Sequence, residues 1–445
     1  IMFIKIRFFE PCYFKIMFKV LLVFLTLFFT SCGEKLKKGS ANISSDQLSG
    51  PVMPKPNQWL GHFGSHRNGI SAETNLNLDW LNAEPKRLWK FEIGTGVSGV
   101  SAINDTLFSM GNNKGSDTVY CLDAVSGEII WEYSYRCPLD KRMFEGGPAV
   151  TPLIDVKNDQ LYTLSHDGNL NCLDIKSGKQ KWSLSYVSKV LNGKRPTYGF
   201  ACSPILYNDD LIISAGGDGT SIASVSPIDG SLNWSCGNGT VGYSSPIIFN
   251  LGGVDRIAQF NASKLCLYDP EGKKQVAVVD WRTKYSINAA IPIYSNGHIL
   301  VTSGYGKGGA LFKINDKKFD LVYETKDLLC QFQSPILIDG YVYAVSGDND
   351  SKAKLICMNL NDGKIMWSES FGGNRGNVIY AEGALIVLTE RGEVISCKAS
   401  PESFEEMGRF QAVGGRCWAP PTICNSRLMI RNNAGRLVCY NLKKG

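Results

Sequence analysis

The sequence is poor in the residues that most often carry chemistry. It has four histidines, His62, His66, His166 and His298, in 445 residues. His62 and His66 share a segment without a cysteine beside them, so no zinc-ligand spacing is written locally. There is no C-x-x-C-H haem signature and no adjacent pair of cysteines. The glycine-rich runs 216–219 and 304–309 follow apolar stretches without opening a helix, so they are turns and not phosphate cradles. Asp167-Gly168 and Asp218-Gly219 are turn formers as well. No metal site is expected. Charge of one sign is also scarce. The formal net charge is +6, and residues 1–31 hold Lys5, Arg7, Lys15 and Lys19 against Glu10. The remainder therefore carries about +3, too little to argue for a nucleic-acid partner.

The one long apolar run, Val20–Phe29, follows Lys15 and Lys19 and is short for a membrane span. Ser31-Cys32-Gly33 comes directly after it. This order resembles a bacterial lipobox. It implies a signal peptide at residues 1–31, lipidation of Cys32, and attachment to the cell envelope, facing the periplasm or on the outer membrane. Residues 32–56 are polar, with Ser, Lys, Gly and Pro, and read as a flexible tether. Residues 57–84 lack a strand or helix period and read as an extension packed on the domain that follows.

What the chain has in quantity is glycine, with 46 residues, and an unusual 14 cysteines. Both belong to one repeated phrase. Val119–Trp131 (VYCLDAVSGEIIW) recurs at Leu170–Trp182, Ile222–Trp234 and Leu355–Trp367, each with a Gly four residues before the Trp and Cys or Ser six residues before that Gly. Period-2 alternation between regularly spaced turns marks antiparallel strands. Eight inner segments can be stacked, at 97–105, 146–155, 199–209, 242–250, 287–297, 332–340, 376–383 and 417–426. Several carry Pro, which suits an innermost strand with a free edge. The last copy, LVCYNLKKG, ends without its Trp strand, while Pro85–Ile93 is an orphan Trp strand with Trp89. Joining them gives an all-β fold. It is an eight-bladed β-propeller of four-stranded antiparallel blades over 85–445, closed by the N-terminal strand completing the C-terminal blade. In the fourth and fifth copies Val276 and Val322 stand at the Trp position, and Pro401–Phe410 offers no counterpart in the seventh.

The turn-and-Trp phrase resembles the tryptophan-docking motif of quinoprotein-type (PQQ-like) propellers, and an exported eight-bladed member resembles the BamB-type outer-membrane assembly lipoproteins and their relatives. Trp59, Gly64, Asn68, Gly69, Ile70 and Ser71 match an entry segment of some of those relatives, whereas Leu60, His62 and Phe63 depart from it. The resemblance gives Trp89, Trp131, Trp182, Trp234 and Trp367 a structural role between blades. Cys121, Cys172, Cys266, Cys357, Cys397 and Cys439 hold one position in different blades and are too far apart to pair. Pairing among Cys137, Cys202, Cys236, Cys330, Cys417 and Cys424 stays open. The quinoprotein side of the resemblance would imply PQQ, Ca²⁺, an Asp base and often a vicinal disulfide. The lack of an adjacent Cys pair argues against that cofactor, and no catalytic residue is assigned.

Function is then sought at the channel mouth, in residues that differ between copies. These are Arg142, Phe144, Glu145, Tyr198, Tyr243, Tyr285, Asn288, Gln333, Arg375, Arg416 and Trp418, with Arg195, Phe200, Lys284 and Gln331 beside them. Aromatic and charged side chains at matching points suit a recognition surface. The expectation is a monomeric, non-catalytic envelope scaffold that binds a protein or extended peptide. The alternatives are a PQQ/Ca-dependent oxidoreductase and a carbohydrate-binding envelope protein.

Overall fold

The structure is a computed structural model that describes residues 54–445 apart from 141, 143 and 316. The signal peptide, Cys32 and most of the tether lie outside the described residues. Among the described residues eight antiparallel sheets follow one another as blades 1–7, at 101–136, 153–185, 205–236, 247–280, 293–325, 336–370 and 376–411, and blade 8 at 422–441. Blade 8 receives Arg87–Glu92 as its outermost strand, paired with Arg436–Asn441, so the ring closes as the sequence implies. Closure leaves no blade face exposed to solvent at a free end.

Each innermost strand begins just after a proline in six blades. Pro152, Pro204, Pro246, Pro292, Pro335 and Pro421 directly precede Leu153, Ile205, Ile247, Ile293, Ile336 and Thr422. A residue without an N–H thus sits where the ladder has not yet begun. The core lies between neighbouring blades. Val150, Tyr162, Leu164 and Leu170 of blade 2 and its entry pack against Leu211, Ile213 and Val225 of blade 3, all buried.

The repeated phrase clamps each blade to the next. The indole N–H groups of Trp89, Trp131, Trp182 and Trp367 donate to the carbonyls of Ala124, Ile175, Pro227 and Ser400 at 2.8–3.0 Å. Gly127, Gly178 and Gly230 lie under those rings with positive φ, and a Cβ on Gly178 would stand 2.5 Å from Trp131. Trp234 packs against the buried cluster of Ile212, Ile222, Ile257, Cys266 and Tyr268 between blades 3 and 4. The strand register corrects two assignments. Cys266 faces Val278, not Val276, and in blade 5 Leu311 faces Tyr323, not Val322. Tyr323 does the docking, its hydroxyl 2.8 Å from the Leu360 carbonyl and its ring over Gly363. A shift of one or two residues in counting is easily made where a bulge breaks the pairing, as it does in both strands. In blade 7 the outer strand has Gly408, and Trp80 of the extension packs there, edge-on to Phe410 at 5.2 Å.

Residues 57–80 run across the inner strands at one end of the ring, here called the floor. Gln58–Trp59 pairs with Ser101–Ile103 of blade 1. The Leu60 carbonyl accepts from Ile154 of blade 2, and Ile70–Ser71 runs parallel to Tyr380–Ala381 of blade 7. Arg67, buried, donates to the carbonyls of Ser203 (3.0 Å), Pro204 and Pro246 (2.9 Å) of blades 3 and 4. Glu73 and Glu382 fix the remainder, accepting from Ser426 (2.9 Å) and from Asn75 and Leu76 (2.8 and 2.7 Å). Burial lowers the pKa of Arg67 to about 9, which still leaves it a cation among carbonyls at neutral pH.

Candidate functional site

The end of the ring opposite the floor is here called the mouth. The loops from the outer strand of one blade to the inner strand of the next cross it, and they carry most of the expected residues. The structure gathers them into two arcs.

The first arc centres on Trp418. Its ring lies 4.9 Å from Phe332 and 5.2 Å from Phe144, and the guanidinium carbons of Arg375 and Arg416 stand 5.7 and 5.1 Å from its centre. Its indole N–H donates to Glu390 at 2.9 Å. Arg375 is buried and held by Gln331 (2.9 and 3.2 Å), Glu390 (3.2 Å) and Asn349. Burial opposes the charge of Glu390, yet Trp418, the Asn374 amide and Arg375 together hold its carboxyl below the usual range. Arg416 is more open and bonds Glu145 at 2.6 Å, and Asn433 reaches the other oxygen of Glu145 at 3.3 Å. Phe144 remains 67% exposed although its ring packs on Trp418 and Arg416. Arg142 is solvent-exposed and paired with Asp140 at 2.7 Å.

The second arc is made of tyrosines. Tyr198 and Tyr243 lie 6.0 Å apart, and the backbone N–H of Tyr198 donates to the Tyr243 hydroxyl at 3.3 Å. Burial pushes the Tyr243 phenol up to about 12. Tyr285 packs edge-on to Tyr305 at 5.5 Å. The Tyr305 hydroxyl accepts from Gln331 at 2.8 Å, and Gln331 in turn binds Arg375, which links the two arcs.

Two expected residues do not face the mouth. Asn288 is fully buried and donates to the carbonyls of Asn261 and Trp281 (2.9 and 3.0 Å) while accepting from Ser303. Gln333 is buried and donates to Val345 and Gly347 (3.0 and 2.8 Å). Both satisfy buried backbone carbonyls, Asn288 on blade 4 and Gln333 on blade 6, the ordinary fate of an amide beside an irregular strand. Phe200 is likewise buried, edge-on to Tyr186. Phe332, Glu390 and Tyr305 were not singled out from the sequence. Phe332 adjoins Gln331, whereas Tyr305 and Glu390 sit on hairpin turns that read as mere punctuation.

Cys137, His166 and Asp167 bring ligand atoms within 4.8 Å of one another, the one such trio among the described residues. Arg195 enters the same space. Its guanidinium is 3.1 Å from His166 Nδ1, 3.1 Å from Asp167 and 2.9 Å from Asp140. The cation there is already supplied by the protein, and the network ties the 137–147 loop to blade 2. The twelve described cysteines are free thiols.

The class these features define is the quinoprotein-type eight-bladed propeller. The family model described as outer membrane protein assembly factor BamB matches residues 80–183 and 140–369, and the chain belongs to that family. Among curated relatives, the dehydrogenase subunit of a quinone alcohol dehydrogenase from Gluconobacter oxydans (strain 621H) is 26% identical over 187 residues, 40% of this chain and 23% of the relative. The quinohemoprotein alcohol dehydrogenase ADH-IIG of Pseudomonas putida is 25% identical over 181 residues, 40% of this chain and 23% of that protein. The matches thus span under a quarter of those relatives' length. Among solved structures, BamB from Moraxella catarrhalis superposes with a TM-score of 0.58 at 15% identity, covering 82% of this chain and 99% of that one. A europium-containing methanol dehydrogenase gives 0.63 at 12%, covering 84% and 90%. At such identities these likenesses speak for the fold alone.

The dehydrogenase relatives make PQQ and Ca²⁺ a fair test of the mouth. Ca²⁺ takes roughly 6–8 oxygen ligands, with carboxylates among them. Here Glu390, Glu145, Asp140 and Asp167 are each engaged by arginine, and Asp348 accepts from the Gly306 and Asp350 amides and Ser351. The Trp418 ring has Phe332, Phe144 and two guanidinium groups within 4.9–5.7 Å, a crowded setting for a stacked quinone. The residues present do not fit that cofactor.

Proposed function

We propose that this chain is a non-catalytic docking protein of the bacterial cell envelope that holds a partner protein or extended peptide at the mouth of its propeller. In this reading residues 1–31 direct export and Cys32 carries the lipid anchor. The observation that carries it is the cluster of Phe144, Trp418, Phe332, Arg375 and Arg416. Aromatic and arginine side chains fixed by a hydrogen-bonded surround, with one ring left in solvent, are the composition of a protein-binding hot spot. The family's description, outer membrane protein assembly factor, supports the location. The test is capture of partners from a native envelope extract by the wild-type chain and by F144A/R416A. The double variant should lose the captured protein while its melting curve is unchanged, and retained capture would count against this surface.

A second reading, a PQQ- and Ca²⁺-dependent oxidoreductase, is favoured by the names of the curated relatives and opposed by the engaged carboxylates at the mouth. Dye-linked alcohol oxidation after adding PQQ and Ca²⁺ decides it, since turnover would overturn the docking reading. Binding of a glycan by the same aromatic residues is the third reading, and a glycan array tests it.

A further inference from the structure

The two arcs of the mouth differ in how their charge is balanced. Around blades 1, 2, 7 and 8 the arginines meet acids: Arg142 and Arg195 with Asp140, Arg416 with Glu145, Arg375 with Glu390. Around blades 4 to 6 three lysines surround the turn 304–307 with no carboxylate paired to any of them among the described residues. Lys284 Nζ stands 5.1 Å from the centre of the Tyr285 ring. Lys307 Nζ stands 4.1 Å from the centre of the Trp281 ring. Lys326 Nζ donates to the carbonyls of Gly306 and Lys307 at 3.0 and 2.9 Å. Asp348, which accepts from the Gly306 amide of this turn, is also engaged by the Asp350 amide and Ser351.

The backbone beneath these lysines is strained. Tyr285, Ser286 and Tyr305 have φ of 68°, 56° and 60°, in the left-handed region that residues with side chains avoid. Such strain persists only where the surroundings impose it, and it concentrates at ligand sites. Tyr285 and Tyr305 stand edge-on to each other there, with Lys284 over the Tyr285 ring and Tyr285 left 62% exposed. Tyr198 and Tyr243 continue the same aromatic surface on the neighbouring loops.

We propose that the lysine-edged tyrosine arc binds an acidic, aromatic-bearing stretch of a partner polypeptide, with Lys284, Lys307 and Lys326 meeting its carboxylates and Tyr285 and Tyr305 its rings. This rests on the docking reading above and names the chemistry of the partner. An extended chain suits the site better than a bilayer does. Tyr198, Tyr243 and Tyr285 come from inter-blade loops and Tyr305 from a hairpin turn of blade 5, an arrangement in which a narrow segment reaches ring and ammonium together, whereas a flat surface meets only the outer lysines.

The test uses the full chain and a labelled peptide of alternating Glu and Tyr, followed by fluorescence anisotropy, with a Lys-Tyr peptide as its counterpart. The Glu-Tyr peptide should bind and the Lys-Tyr peptide should not. K284E/K307E/K326E should weaken binding about tenfold or more, and added salt should weaken it in the wild type, with the variant still folded by circular dichroism at the assay temperature and K284E alone, which breaks no hydrogen bond among the described residues, weakening binding in the same direction. Equal binding by the triple variant, or binding of polygalacturonate or anionic vesicles in place of the peptide, would overturn the proposal. If the peptide fails while envelope capture still depends on Phe144 and Arg416, the acidic-partner proposal falls and the docking reading stands. If capture fails too, both fall.

Discussion

At the scale of the residue, the mouth shows how far a side chain's type can be read from a string of letters. Arg416, Phe144 and Trp418 stood out because loops between repeats carried them, and the structure brings them together. Asn288 and Gln333 stood out for the same reason but turn inward to satisfy carbonyls, a choice set by backbone geometry that no local pattern records. His62 looked inert in the sequence and is the residue with the clearest pH signature. It lies against Thr151 of blade 2 at the floor, where burial and then the Arg67 cation lower its pKa from 6.5 to about 3. The unfolded chain therefore binds a proton that the folded chain refuses. The stabilisation is complete above pH 6.5 and is lost as the pH falls from 6.5 toward 3. His66 shifts the same way through burial, whereas carboxylates such as Glu390 begin to matter only near their ordinary value of 4.5. Melting temperature should fall on acidification from pH 6.5 to 5, and His62→Gln should flatten that slope. An unchanged slope in the variant would remove His62 from the account.

At the scale of the element, the docking clamp was legible wherever Trp and Gly kept their spacing, because one physical demand repeats around the ring. It was not legible where another residue met the demand. Tyr323 replaces the Trp in blade 5 with its own hydrogen bond to Leu360, and Trp80 arrives at blade 7 from a segment that has no period of its own. The glycine of the clamp can be tested against a matched control. Gly178 and Gly219 have φ of +69° and +76°, so a side chain strains both alike, but only Gly178 lies under a ring, while Gly219 has nothing within 4 Å. In urea denaturation Gly178→Ala should cost about 2 kcal/mol more than Gly219→Ala. Equal costs would mean that the indole yields easily and that the clamp is loose.

At the scale of the whole molecule, ring closure was readable because a missing strand at one end matched a spare strand at the other. The path of the floor segment was not, since the contacts of residues 57–80 with blades 1–4, 7 and 8 are long-range and leave no periodic trace. The packing matters for the proposed function because, among the described residues, the segment occupies the floor end and the exposed aromatic Phe144 lies at the mouth. The partner should therefore be met there and not at the floor-side turns. Photo-crosslinking in intact cells tests this most directly, with the reactive residue placed at Phe144 on the mouth or at Ile228, 82% exposed on the floor-side turn of blade 3. The account predicts a discrete adduct from position 144 and none from position 228. Adducts from position 228 with none from position 144 would contradict it.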